Sequence, residues 1–342
     1  VPEIDFLIKT IPYFQDKKIG VVQTRWEHIN KEYSILTKLQ AFALDAHFSV
    51  EQTGRNKAGH FINFNGTAGV WRKETIEDGG GWNADTLTED LDLSYRAQLK
   101  GWKFLFKEDI GSPAELPAEM NALKAQQFRW TKGAAECTVK NLGKVIKHSN
   151  YHFWTKINAI FHLMNSFLFI AIFTIAILSI PLFIFKQKHP EFDTFYKLAT
   201  ISLFSFLVIG IMYFTSFSRS YKNKGIAFLH FMYYFPLFLS FSMGLSFHNS
   251  IAVIEGYRGK KSPFIRTPKF NLNKKSGHWK GSQDKTKIKW VTIVEGLLAS
   301  YFIWGITLCF AWGDYGMLPL FIMLAVGFGV IFYYSIKHSL TS

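Results

Sequence analysis

Gln126, Arg129 and Trp130 stand at positions i, i+3 and i+4 of the run Gln126-Gln127-Phe128-Arg129-Trp130. On a helix over residues 118–140 that spacing brings an amide, a guanidinium and an indole to one face. A fork of N–H donors suits diphosphate oxygens, and a flat indole beside it suits the apolar face of a sugar ring. The same residues also suit a helix at a membrane surface, with Arg129 on lipid phosphate and Trp130 in the interfacial belt.

Upstream, Thr88-Glu89-Asp90 opens a second helical pattern over 89–99, with Thr86 at capping-box spacing from Glu89. Carboxylates in a first turn can simply stabilise the helix start. They can also act as a general base, taking the proton from an acceptor hydroxyl as it attacks a sugar's anomeric carbon. Asp92 is two residues on from Asp90 and points to another face.

Positioning these groups requires a domain, and residues 1–112 read as one of alternating strands and helices. Ile19–Gln23 forms a buried strand, residues 34–48 carry apolar side chains at helical spacing, and Phe61–Phe64 and Trp102–Phe106 are short strands. That order argues for an α/β fold. Pro113 and Pro117 break the pattern before residues 113–156, which hold the Gln126–Trp130 helix and an aromatic, basic stretch suited to a bilayer surface.

Residues 157–342 read as membrane. Spans are expected at 159–185, 198–217, 291–312 and 317–336, each near the ~20 residues that a crossing helix needs. Segment 226–256 is apolar but interrupted by Pro236 and Gly244, and it is expected to be broken or re-entrant. Glu295 sits in an apolar run, facing either a polar path or the boundary. The net charge of +14 could suggest nucleic acid, yet Lys and Arg crowd the loops flanking the spans, so anionic headgroups account for it and nucleic acid is excluded. By the same rule the loop 258–289 belongs in the cytoplasm with the enzyme-like part. Cys137 and Cys309 lie far apart and give no disulfide framework or zinc site.

Together the T-E-D at 88–90 and the Q-Q-F-R-W at 126–130 resemble the family 2 glycosyltransferases that build β-linked polysaccharides at membranes. Phe64–Arg72, Gly80-Gly81-Trp82, Asp85–Arg96 and Phe264–Lys269 are most similar to the cellulose-synthase-like group, which includes the glucomannan 4-β-mannosyltransferases. The resemblance implies a GT-A-like α/β catalytic portion followed by a polytopic α-helical membrane region. It implies inverting transfer of a hexose from a nucleotide sugar, GDP-mannose or UDP-glucose, to a growing polysaccharide. By matching position Asp90, beside Glu89, would be the base. Gln126, Arg129 and Trp130 would hold the donor diphosphate or the acceptor, and the loop Asn65-Gly66-Thr67 would border the acceptor. Arg266, Thr267 and Lys269 resemble a cytoplasmic gating loop.

The family's D-x-D motif, which holds Mg2+ or Mn2+, would lie before Val1, so the chain is expected to be incomplete at its N-terminus and to lack metal ligands. Asp5 is read as a helix cap rather than a ligand. These 342 residues alone are therefore expected to bind metal and nucleotide sugar poorly. The alternatives are a non-processive, ceramide-type glycolipid glucosyltransferase, a non-catalytic polytopic transporter, and a truncated remnant.

Overall fold

The computed structural model describes residues 3–264 and 289–340, which fall into two compact units. The first comprises residues up to Ala118, Ala125–Leu168 and the segment from Ile251. It is built on β1 (Ile19–His28), followed by helix α1 (Ile35–Ala46), β2 (Gly69–Trp71), α2 (Glu89–Leu99), β3 (Lys103–Ala114), α3 (Met120–Lys147) and α4 (Phe153–Leu163). The sheet order is β2-β1-β3. β2 runs antiparallel to β1, with Val22 opposite Val70. β3 runs parallel to β1, and its register slips between Thr24↔Lys107 and Arg25↔Gly111, so residues 108–110 bulge outward. Val21, Phe48, Ile62, Phe64, Ala97, Phe104 and Phe106 form the core against the sheet.

Three local expectations change. Phe61–Phe64 forms no ladder: the Gln98 side chain bonds both the N–H and the C=O of Ile62, at 3.1 and 2.7 Å, and Ser94 Oγ accepts from Phe64 N–H at 2.9 Å. Side chains of α2 thus satisfy the backbone groups that a neighbouring strand would otherwise have to satisfy. The box expected from Thr86 does not form; Thr88 is the N-cap of α2 and makes no side-chain capping bond. Asp5 precedes the short helix Phe6–Thr10 but pairs with Lys9 at 2.6 Å instead of capping it. At α1 a real capping box forms, between Ser34 and Thr37.

The second unit comprises Glu119–Lys124, Phe169–Ser250 and the C-terminal helices, and α3 therefore begins within it. It contains α5 (Phe167–Lys188), α6 (Phe204–Phe217), α7 (Lys224–Gly244), the start of α8 (Ser246–Tyr257), α9 (Trp290–Trp312) and α10 (Leu318–Leu340). Among the described residues four helices are long and apolar enough to cross a bilayer: Phe153–Lys188, Lys224–Gly244, Trp290–Trp312 and Leu318–Ser339. The span expected at 198–217 lies on a continuous run of Asp193–Ala199, a 3-10 turn and the 14-residue α6.

Pro236 stays inside α7, and the 226–256 segment divides at Leu245. Just before that division α7 meets α10 backbone to backbone. A β-carbon on Gly327 would lie 2.0 Å from the Ser240 carbonyl oxygen, and one on Gly244 would lie 2.4 Å from that of Gly327. Small residues let membrane helices approach this closely. Ala176, Ile180, Phe183, Phe302, Phe321 and Phe328 fill the space between α5, α9 and α10. Glu295 is fully buried, and Lys124 Nζ donates to both of its carboxylate oxygens at 2.8 Å, with Ser335 Oγ at 3.4 Å.

Candidate active-site cleft

Asn65, Gly66, Thr67, Glu89, Asp90, Gln126, Arg129 and Trp130, far apart in sequence, line a single cleft of about 320 Å³ in the first unit. That volume is at the small end of the ~300–1,000 Å³ typical of ligand sites. The cleft also contains Trp26, Leu44, Glu115, Leu116 and Phe264. A larger cavity of about 670 Å³ opens where β3 begins, lined by Asp16, His60, Trp102, His148 and Tyr151, and holds none of these groups.

Helix α3 delivers the expected face. Gln126, Arg129 and Trp130 are all half-buried on it. Trp130 approaches Trp26 of β1 with ring centres 6.2 Å apart, and Trp26 in turn packs 5.6 Å from Phe48. The Arg129 guanidinium lies over the Phe264 ring at 4.7 Å.

The Asp90 carboxyl is partly accessible, and its Oδ1 accepts the Leu91 N–H at 2.8 Å. Burial dominates its electrostatics and pushes its pKa up to about 7; the Glu89 charge adds to the rise, while the Leu91 amide and Arg129 oppose it. Burial also lowers the pKa of Arg129, against the opposing pull of Glu89 and Asp90. The cleft therefore pairs a carboxyl that titrates near neutrality with a planar cation.

The loop over Asp90 is held from β1. Gln23, fully buried, donates through Nε2 to the carbonyls of Thr67 and Ala68 at 3.0 and 2.8 Å, and its Oε1 accepts Asn65 N–H at 3.0 Å. Thr24 Oγ1 donates to the same Ala68 carbonyl, and Asn65 donates to Gln52 at 2.9 Å. Gly66 adopts φ +72°, and a β-carbon on it would lie 3.3 Å from Asp90 Oδ2. The opposite wall is fixed by Asn30, which exchanges two 2.8 Å bonds with Leu116, and by Gln40, which donates to the Pro117 carbonyl.

Sequence reading placed this helix but missed the role of its face beyond Arg129. Glu136 Oε2 accepts Leu87 N–H at 2.7 Å, and Lys140 Nζ and Asn141 Nδ2 each donate to Asp92 at 2.9 Å. Asp92 is fully buried and also receives Arg96 Nε at 2.8 Å. Cys137 lies 3.5 Å from Thr88 Oγ1, and burial pushes its thiol up to about 12, so it packs rather than reacts. The signal was the spacing 133, 136, 137, 140, 141, one face of the same helix. Arg266, Thr267 and Lys269 lie outside the described residues.

The family model described as "Glycosyl transferase family group 2" matches residues 1–246. "Probable glucomannan 4-beta-mannosyltransferase 4" of Oryza sativa subsp. japonica is 46% identical over 170 residues, 49% of this chain and 30% of that protein. "Probable glucomannan 4-beta-mannosyltransferase 3" of the same organism is 35% identical over 257 residues, 75% of this chain and 44% of that protein. "Glucomannan 4-beta-mannosyltransferase 7" of Arabidopsis thaliana is 41% identical over 169 residues, 49% of this chain and 30% of that protein. The matched stretch thus covers less than half the length of each of these relatives.

Proposed function

The chain belongs to glycosyl transferase family group 2, and from that premise we propose that its cleft transfers a hexose from a nucleotide sugar to a growing β-linked polysaccharide at a membrane. The observation that carries this reading is the meeting of Asp90, Arg129 and Trp130 in one cleft under the Asn65–Thr67 loop. The names of the relatives, glucomannan or probable glucomannan 4-beta-mannosyltransferases, favour a polymer over a glycolipid product or transport, and favour a mannosyl over a glucosyl donor.

In this reading Asp90, ionised above neutrality, accepts the proton of an acceptor hydroxyl. That oxygen attacks the anomeric carbon of the donor from the face opposite its diphosphate. The bond from carbon to phosphate oxygen breaks, the diphosphate leaves with the electron pair, and the anomeric configuration inverts. Arg129 and Gln126 donate to the diphosphate, and Trp130, backed by Trp26, offers an apolar platform to the acceptor sugar. The Phe264 segment closes the rim. Helices α5, α7, α9 and α10 anchor the enzyme in the bilayer and flank the path of the polymer.

Enzymes of this family commonly use a divalent metal. The described residues do not fit one: no group of three or more His, Cys, Asp or Glu side chains is arranged to hold an ion, and Glu89 and Asp90 face Arg129. No step is therefore assigned to a metal through these residues.

The test supplies radiolabelled GDP-mannose or UDP-glucose to the protein in its own membranes. Alcohol-insoluble label, released by an endo-β-mannanase and absent with Asp90→Asn, is expected. Label that extracts wholly into organic solvent, or incorporation untouched by Asp90→Asn, would overturn the proposal.

A further inference from the structure

One turn beyond Arg129, on the same helix, Lys132 is fully buried. Its Nζ lies 3.4 Å from Glu255 Oε2 and 2.5 Å from Ser262 Oγ. Glu255 belongs to α8, and its other oxygen takes the exposed Lys260 at 2.5 Å. Here α8 is pressed against α3: a β-carbon on Gly256 would lie 2.7 Å from both the Lys132 carbonyl oxygen and the Ala135 Cβ. The chain leaving α8 is thus held at Glu255 and again at Ser262, and two residues later it delivers the Phe264 ring onto Arg129.

A buried ammonium tolerates few arrangements. Leaving water is costly unless a carboxylate and further acceptors meet it, and those acceptors then fix the backbone that carries them. A ring stacked on the flat face of a guanidinium uses none of its in-plane donors, so it orients Arg129 without competing for an anion.

We propose that Lys132 is a positioning residue whose buried ammonium clips Glu255 and Ser262 to α3 and thereby seats Phe264 on Arg129 at the rim of the cleft. The contribution of this clip to hexose transfer rests on the function proposed above; the clip itself does not.

Hydrogen–deuterium exchange on the full chain in lipid nanodiscs tests the clip directly, with Ser262→Ala as the mild variant and Lys132→Met as the severe one. Exchange over residues 258–264 is expected to quicken by about tenfold or more in Ser262→Ala, with β1, β3 and the remainder of α3 unchanged. Unchanged exchange over 258–264 in that variant overturns the clip, and so does a loss of protection spread along α3, which would mark Lys132 and its partners as general scaffolding. In transfer assays, Ser262→Ala combined with Phe264→Ala is expected to raise the donor KM no further than Phe264→Ala alone; additive losses would refute action through Phe264. If the wild type transfers no hexose, the proposed function fails while the exchange result still decides the clip.

Discussion

Gly133 of α3 and Thr88, the N-cap of α2, touch so closely that a β-carbon on Gly133 would lie 2.6 Å from Thr88 Oγ1 and Cγ2 and 2.8 Å from its backbone nitrogen. This contact sets the distance between the helix carrying Arg129 and the turn carrying Asp90. Gly133→Ala should raise intrinsic helix stability by about 1 kcal/mol in an exposed helix. Here the clash with backbone outweighs that gain, because Thr88 cannot rotate its own nitrogen away. The expected outcome is a fall of at least ~tenfold in kcat/KM, since displacements of about 1 Å in a reacting group are costly. Transfer kinetics check it alongside circular dichroism, and a variant as active as wild type would show that the contact is slack.

Asp90 carries a pH signature. Its pKa in the fold is about 7, raised mainly by burial above the ordinary value near 4. As a base it works deprotonated, so activity should climb with pH through about 7. Asp90→Asn should lose a factor of roughly 10² to 10⁴ in kcat and abolish that limb. Stability runs the other way: between pH ~4 and ~7 the native protein holds a proton that the unfolded chain has released, so this group's contribution falls as pH rises through that window. Asp90→Asn should therefore melt higher than wild type at pH 8 and alongside it near pH 4. Equal melting at both pH values would contradict the raised pKa.

Arg129→Lys tests whether the fork matters or only the charge. A lysine retains the cation but loses the planar donor pair and the face that meets Phe264. The loss of one charge-assisted hydrogen bond, about 1.5–3 kcal/mol, predicts a fall of roughly 10- to 150-fold in kcat/KM. Full activity in the lysine variant would assign Arg129 a mere charge-screening role.

The buried pair of Lys124 and Glu295 should be worth more to break than to replace. Glu295→Gln leaves the Lys124 ammonium without its carboxylate and should cost about 3–5 kcal/mol. Lys124→Met together with Glu295→Leu should recover most of that loss. Thermal melting in detergent distinguishes the cases, and a double variant no better than the single one would mean that the charges contribute something packing cannot restore.

The candidate site face was readable in the chain because helical spacing alone brings Gln126, Arg129 and Trp130 together, and because clusters of this kind resemble those of a known family. Most of the helices long and apolar enough to cross a bilayer were readable for an equally general reason: an apolar run near 20 residues has few other places to go. What failed were features decided by partners distant in sequence. Phe61–Phe64 looked like a strand, yet Gln98 and Ser94 take its hydrogen bonds.

By itself, then, the sequence determined which side chains could do chemistry and which helix would present them, since these follow from residue type and local period. Only the tertiary structure decided that the Asn65–Thr67 loop lies over Asp90, held there by Gln23 on a strand more than forty residues upstream. It alone decided that Asp90 titrates near neutrality, because desolvation depends on what surrounds the carboxyl and not on its neighbours in the chain. It also decided that Glu295 faces Lys124, because a buried charge is stable only where an opposite one is brought to meet it.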